Sequence, residues 1–289
     1  WPSSNPLPTH PMSTRRRFIL GTLAASGALV LGWSALPPRQ RQQTASPLPA
    51  AAGEHAFNGW VKVGEDDRVT VVLARSEMGQ GVSTSLALLL VDELDADWAQ
   101  VRVEASPIDG IYNNLATVVD GLPFHPEAAG VLVDAARWLT AKTMREIGVM
   151  MTGGSSSVKD LWLPMRQAGA AARQMLVETA AARWGVAAAD CRAQAGSVVA
   201  PDGRTLRFGA LAAEAATRSV PSRPRLKTPE QFRLIGRPTP RLDAAAMTDG
   251  SARFGIDVQP PGLLHAALQF CPTRLGRVQS CDEAPARGL

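Results

Sequence analysis

Two glycine-containing loops carry the residues whose types and spacing could do chemistry. The first is Glu77-Met78-Gly79-Gln80-Gly81, followed by a run in which Leu86, Leu89, Leu90 and Leu94 recur at helical spacing, with Ser83 or Thr84 as the expected cap. Glycines on both sides of an amide side chain at the mouth of a helix expose backbone N–H groups, and the helix N-terminus adds a partial positive charge. An anionic or heteroaromatic ligand suits such a loop. The second loop, Thr152-Gly153-Gly154-Ser155-Ser156-Ser157, offers three serine hydroxyls and backbone donors that can wrap a phosphate or the edge of a heterocycle. Alone, each loop has a plainer reading: a tight turn, and a Gly/Ser connector capping the next helix. Two donor-rich loops in one chain favour a large cofactor with many acceptors over a simple phosphate. Neither has the GxGxxG or GxxxxGK[ST] spacing, and neither holds a lysine, which disfavours a phosphate-binding module of the familiar kinds.

The remaining chemistry-bearing residues are poorer candidates. Cys191, Cys271 and Cys281 form no CxxC pair and no disulfide framework, and the four histidines (His10, His55, His125, His265) lack ligand spacing, so no metal site is expected. Asp92, Glu93, Asp95 and Asp97 cluster at a helix end and read as a solvated group. No Ser-His-Asp or Cys-His set assembles. The pI is about 9.3 and the net charge +4, but residues 1–52 contain five arginines and no acid, so the rest of the chain is slightly acidic. Without a dense Lys/Arg stripe, nucleic acid is not an expected partner.

Several elements must position the two loops. Phe57–Val63 and Val69–Leu73 are β-rich runs around a Gly64-Glu65-Asp66-Asp67 turn and read as a hairpin. The helix after the first loop and a strand at Val101–Ala105 complete a β-β-α-β order. Residues 128–151 contain a helix with Val131, Ala135, Trp138, Leu139 and Lys142 on one side. Residues 158–184 read as two helices broken at Pro164, the second rich in alanine, which suits close approach to a backbone or ligand as well as plain helix propensity. Pro221–Arg241, with five prolines, reads as an extended, surface-crossing linker. Residues 252–258 and 263–270, around a Pro260-Pro261-Gly262 turn, resemble the opening hairpin of a further domain. The expectation is an α+β chain with mixed helix and sheet layers. Its expected divisions are 1–52, 53–220, a linker at 221–246, and a further domain from 247 to 289. With 45% hydrophobic residues it can bury a core.

At the N-terminal end, Thr14-Arg15-Arg16-Arg17-Phe18-Ile19-Leu20 resembles a twin-arginine export signal. The uncharged stretch Phe18–Trp33 is shorter than the roughly 20 residues a membrane span needs. Ala50-Ala51-Ala52 offers a cleavage site before Gly53; an ordinary secretory signal or an uncleaved anchor are the alternatives. The twin-arginine route carries folded proteins, which suits a cofactor inserted before export to the periplasm or the outer side of the membrane. The start at Trp1 and stop at Leu289 read as cuts, with Met12 as the expected true start.

Three segments in order, 76–84 around Gly79-Gln80-Gly81, 152–158, and Ala168-Gly169-Ala170-Ala171-Ala172-Arg173, resemble the molybdopterin-binding large subunit of isoquinoline 1-oxidoreductase-type enzymes. Those enzymes belong to the xanthine dehydrogenase and aldehyde oxidase family. Segments 182–186, 232–236 and 250–258 add to the resemblance. The resemblance implies that Gly79, Gln80 and Gly81 hold a pyranopterin, that Gly153, Gly154, Ser155 and Ser156 contact the dinucleotide end, and that an α/β hammerhead domain opens near Met247. It further implies a molybdenum cofactor in the cytosine dinucleotide form, hydroxylation of an N-heterocycle or oxidation of an aldehyde with oxygen from water, a small [2Fe-2S] partner subunit and a cytochrome electron acceptor. The family's catalytic glutamate lies beyond the present sequence, so no catalytic residue is assigned and this chain alone is expected to be inactive. A non-catalytic exported binding or assembly protein is the alternative.

Overall fold

The computed structural model describes residues 39–287 and five isolated earlier positions (18, 22, 32, 33 and 36). Arg15 and Arg16 lie outside the described residues; Phe18 is exposed. The chain divides into two compact units, 1–242 and 243–289.

The first unit is built on a four-stranded sheet, β1 (Glu54–Asn58), β2 (Val61–Gly64), β3 (Val69–Leu73) and β4 (Val101–Ala105), in spatial order 1-2-3-4. The first two pairings are antiparallel, whereas β3 and β4 run parallel and are joined through helix α1 (Val82–Leu94). The run expected as one strand over 57–63 is two. Asn58 Oδ1 accepts from the Trp60 N–H at 2.9 Å and Gly59 N–H donates to the Gln42 carbonyl at 2.7 Å, so the chain turns at 59–60. An asparagine that bonds the backbone two residues on favours a turn over continued pairing.

Helices α2 (Leu115–Asp120), α3 (Val131–Ile147) and α4 (Ser157–Trp184) follow. α4 is one continuous helix despite Pro164. The Asp160 carbonyl, which loses its helical donor at Pro164, instead accepts from Arg41 Nη1 at 3.4 Å, and the Pro164 carbonyl accepts from Gln42 Nε2 at 3.2 Å. The alanine stretch of α4 packs against α1. A Cβ on Gly169 would stand 2.1 Å from the Leu90 carbonyl oxygen, so it is a neighbouring backbone that the small residues admit. On α3, Val131 is 87% exposed while Lys142 and Arg145 are buried. Lys142 donates to the Trp33 and Leu36 carbonyls and lies 4.4 Å from the Trp33 ring centre; of the side named from the sequence, Lys142 is buried while Val131, Trp138 and Leu139 are exposed.

Residues 39–49 pack on this body. Gln42 is buried and Arg41 largely so, Leu48 joins the core, and the Pro49 carbonyl accepts from Lys62 Nζ. A small sheet, β5 (Arg192–Gln194), β6 (Ser197–Val199) and β7 (Thr205–Arg207), and helix α5 (Phe208–Ala215) complete the unit. The acidic cluster expected in solvent is largely interior. Asp92 and Glu93 are at most 2% exposed, and they bind the proline-rich segment through its N–H groups: Arg233 and Ile235 to Asp92, Lys227 to Glu93. Lys227 Nζ meets Asp95 at 2.7 Å. The segment that crosses the surface is thus held by charge-assisted hydrogen bonds at the end of α1. Only Asp97 keeps a local role, capping a turn through the Ala99 N–H.

The second unit contains α6 (Ala244–Asp249) and a final turn α7 (Ala284–Arg287). The hairpin expected at 252–270 is absent among the described residues, and Ile256, Leu264, Leu268 and Phe270 are exposed. Strands need a neighbour to take their N–H and C=O groups and a layer to cover one face, and this segment has neither among the described residues. Mixed helix and sheet is nonetheless the class observed, as expected. Among the described residues no helix is long and apolar enough to cross a membrane.

Candidate functional site

β3 and β4 end side by side at Leu73 and Ala105, and Ser106 N–H extends the pairing to the Leu73 carbonyl at 2.9 Å. Beyond these ends lies a cavity of about 580 Å³. Arg75, Ser76, Glu77, Ser83, Glu104 and Thr152 contribute polar groups to its wall, and Met78, Met150 and Met151 apolar ones. A crevice outside the carboxyl ends of parallel strands, beside the start of the connecting helix, is where α/β units take their ligands. Both loops reach it: the Ser76 N–H donates to Thr152 Oγ1 at 2.9 Å and ties them together.

The first loop is held by Glu77. Its Oε1 accepts from the Gly79 and Gly81 N–H groups at 2.9 and 2.8 Å, and Oε2 accepts from the Ser83 N–H at 2.9 Å. Partial burial pushes the Glu77 carboxyl up, but the donors at Ser83, Gly81 and Gly79 outweigh it and hold the group below the usual range. Gly79 and Gly81 have φ of 97° and 76°, which only glycine adopts readily, and a Cβ on either would enter open space. A flat ligand can therefore approach the backbone closely. Gln80 is exposed but turned back on its own loop, accepting from the Met78 N–H at 2.5 Å and donating to the Ser76 carbonyl at 2.9 Å. The donors that the sequence reading offers to a ligand at Gly79 and Gly81 are already used by Glu77.

The second loop splits into two kinds of residue. Ser156 is 1% exposed, and its hydroxyl bonds Asn114 Nδ2 (2.7 Å), Thr117 Oγ1 (2.8 Å) and the Gly153 carbonyl (2.7 Å). Those three bonds place it in the framework. Gly154 and Ser155 adopt φ of 62° and 51°, and Ser155 is exposed. Left-handed residues followed by right-handed Ser156 (φ −96°) form the kind of backbone concavity that collects anions. Gly153 adjoins them and is half-buried.

Beneath the cavity lies a charged cluster that the sequence reading misses. The Arg75 side chain is fully buried and donates to Asp160 Oδ2 at 2.6 Å and to the Tyr112 carbonyl at 2.9 Å. Arg41 reaches the same oxygen at 3.0 Å, and Asp160 Oδ1 accepts from the Leu115 and Ala116 N–H groups. Burial, reinforced by nearby Arg41 and countered by Asp160, brings the Arg75 guanidinium down to about 10. Asn114 bridges this floor to the second loop by capping α2 at Thr117 N–H while bonding Ser156. The cap at Asn114, ahead of an apolar run, was the one local signal in the sequence.

The family described as a molybdopterin cofactor-binding domain matches residues 30–118, which include the first loop but not the second. A membrane-bound aldehyde dehydrogenase of Gluconacetobacter polyoxogenes, whose name specifies pyrroloquinoline quinone, is 33% identical over 286 residues, covering 96% of this chain and 32% of that protein. The beta chain of the isoquinoline 1-oxidoreductase of Brevundimonas diminuta is 30% identical over 83% of this chain and 33% of its own length. A nicotinate dehydrogenase component of Pseudomonas putida is 25% identical over 85% of this chain and 18% of its own length. The chain spans about a third of the length of the first two relatives.

Proposed function

We propose, from the premise that this chain belongs to the molybdopterin-binding xanthine dehydrogenase family, that its two-loop cleft holds one end each of a molybdopterin dinucleotide within an oxidoreductase subunit. The observation that carries this reading is the cavity at the ends of β3 and β4, which Glu77 and Met78 of the first loop and Thr152 of the second line together; Gly79, Gln80, Gly81 and 153–156 do not line it but continue those two loops from its wall. These residues fit such a group. Gln80 has a second donor hydrogen and a second lone pair beyond the bonds it makes, so its amide can meet a pterin edge without leaving the loop. Ser155, with the backbone at Gly153 and Gly154, suits the phosphate end; Ser156 orients that loop from below.

When bound, the cofactor supplies two-electron oxidation of a carbon centre with water as the oxygen source; the substrate class is an N-heteroaromatic or an aldehyde. The residues of this chain bind and orient the cofactor and exclude water from its inner edge. The cytosine dinucleotide form, a small [2Fe-2S] subunit taking the electrons and a cytochrome beyond it are part of the same reading. Export by the twin-arginine route, to the periplasm or the outer face of the membrane, rests on Arg15, Arg16 and Phe18.

One relative's name specifies a quinone, which makes quinone the competing outcome of the test. The deciding experiment purifies the full-length protein with its small subunit and measures metal by mass spectrometry, nucleotide released by acid, and quinone in the extract. Molybdenum with a cytidine nucleotide is the expected result. A folded, matured complex without molybdenum refutes the reading.

A further inference from the structure

Gly81, the residue before α1, has no side chain to cap the helix, yet the first turn is not open. The Glu77 carboxylate takes the N–H of Ser83 in that turn and the N–H groups of Gly79 and Gly81 ahead of it. Its Oε1 also lies 3.6 Å from Arg241 Nη2, while Arg241 Nη1 donates to the Gly79 carbonyl at 2.9 Å. Three backbone donors at this loop and helix start, those of Gly79, Gly81 and Ser83, are spent on an internal carboxylate. A phosphate arriving here would have to displace Glu77 or sit beside its charge. A neutral heterocycle meets no such obstacle, because the glycine backbone is open to it.

We propose that Glu77 is the positioning and specificity residue of the first loop: its carboxylate stands in for an external anion, so the loop receives the uncharged heterocyclic end of a ligand and rejects its phosphate end. The inference rests on the reading of the cleft as a cofactor site. It explains how two loops that look alike in sequence take opposite ends of one molecule. The second loop has no carboxylate of its own and leaves Gly154 and Ser155 exposed.

The test compares wild type with Glu77→Ala, Glu77→Gln and Glu77→Asp in the full-length protein. Protein matured in a host unable to make the cofactor is titrated with inorganic phosphate by calorimetry, and protein matured in a competent host is assayed for pterin by fluorescence after oxidation. The second loop contributes equally to phosphate binding in all four proteins, so the difference reports the first. Expected are a gain of about tenfold in phosphate affinity for Glu77→Ala and a loss of bound pterin of similar size. Glu77→Asp should restore both towards wild type. If Glu77→Ala fails to fold, Glu77→Gln, which keeps a neutral acceptor, is read for the same phosphate gain. Equal phosphate affinity in wild type and a folded neutral variant overturns the proposal. Wild type without pterin refutes the cofactor reading and leaves the phosphate comparison to decide the role of Glu77.

Discussion

Replacing Asp160 by asparagine should be among the most damaging single changes in the chain, although the residue touches no ligand. Its side chain is 3% exposed and that of Arg75 0%. Asp160 accepts from two guanidinium groups and two backbone N–H groups. Asparagine can keep one set of acceptor contacts but must turn its NH₂ towards either the two guanidinium groups or the Leu115 and Ala116 N–H groups, and either way Arg75 is buried without a counter-charge. Removing one partner of a buried ion pair costs about 3–5 kcal/mol, because the surviving charge stays desolvated. Against a total stability of about 5–15 kcal/mol that is a large fraction. For a chain of this size it corresponds to a fall of about 10 °C in Tm.

Urea unfolding of the full-length protein, followed by a probe of the first unit, measures the effect. An unchanged denaturant slope shows that stability and not cooperativity has moved. Adding Arg75→Met to Asp160→Asn should recover part of the loss, since the uncompensated cation is then gone, and the two changes should be strongly non-additive. A loss below about 1 kcal/mol for Asp160→Asn, or simple additivity with Arg75→Met, would refute the idea that the floor of the cleft depends on this pair.

Three further changes probe other parts of the structure. Glu54 is raised by burial but lowered more by hydrogen bonds from Thr70, Lys62 and Arg102, which bring it to about 2. The lowered value means that its contribution, about 3 kcal/mol, is complete above pH 4.5 and lost as pH falls towards 2, so the gap in stability between wild type and Glu54→Gln should close over that window. Gly169→Ala drives a methyl against the Leu90 carbonyl, 2.1 Å away, and should cost at least about 1–3 kcal/mol by thermal or urea unfolding. Gln80→Ala removes an exposed amide, so stability should change by less than about 1 kcal/mol while bound molybdenum and pterin fall; unchanged cofactor content would count against its role.

Local patterns made much of the scaffold legible. The β-β-α-β order, the helix after Gly81 and the helix within 128–151 follow from periodicity and punctuation in contiguous residues, and they survive in the structure. Two of the errors share one origin: partners distant in sequence. Pro164 breaks no helix because Arg41, 123 positions earlier in the chain, supplies a donor to the Asp160 carbonyl left unpaired. Asp92 and Glu93 look like surface charges until the N–H groups of Lys227, Arg233 and Ile235 fold onto them. The 252–270 hairpin fails for the opposite reason, since alternation alone provides no neighbour among the described residues.

The same reasoning separates what the two loops share from what divides them. Glycine content and position before a helix are sequence properties, and they made both loops look like open donor sites. Whether a donor remains available depends on what else reaches it, and there the loops part. Glu77 lies within a few residues of the N–H groups it takes, so its capture of the first loop is local and was readable in principle as a carboxylate placed four residues before the glycine that precedes a helix with no capping side chain. Ser156 is withdrawn by Asn114 and Thr117, from a different helix, and nothing near it in sequence announces this. Of the seven positions singled out in the two loops, the glycines of the first supply clearance, Gln80 a polar contact, and Ser155 with its glycine neighbours a concave backbone; Ser156 supplies only the framework. A cofactor with a flat neutral ring at one end and phosphates at the other matches that division. A compact polyanion would need donors at both loops, and the first has given its own to Glu77.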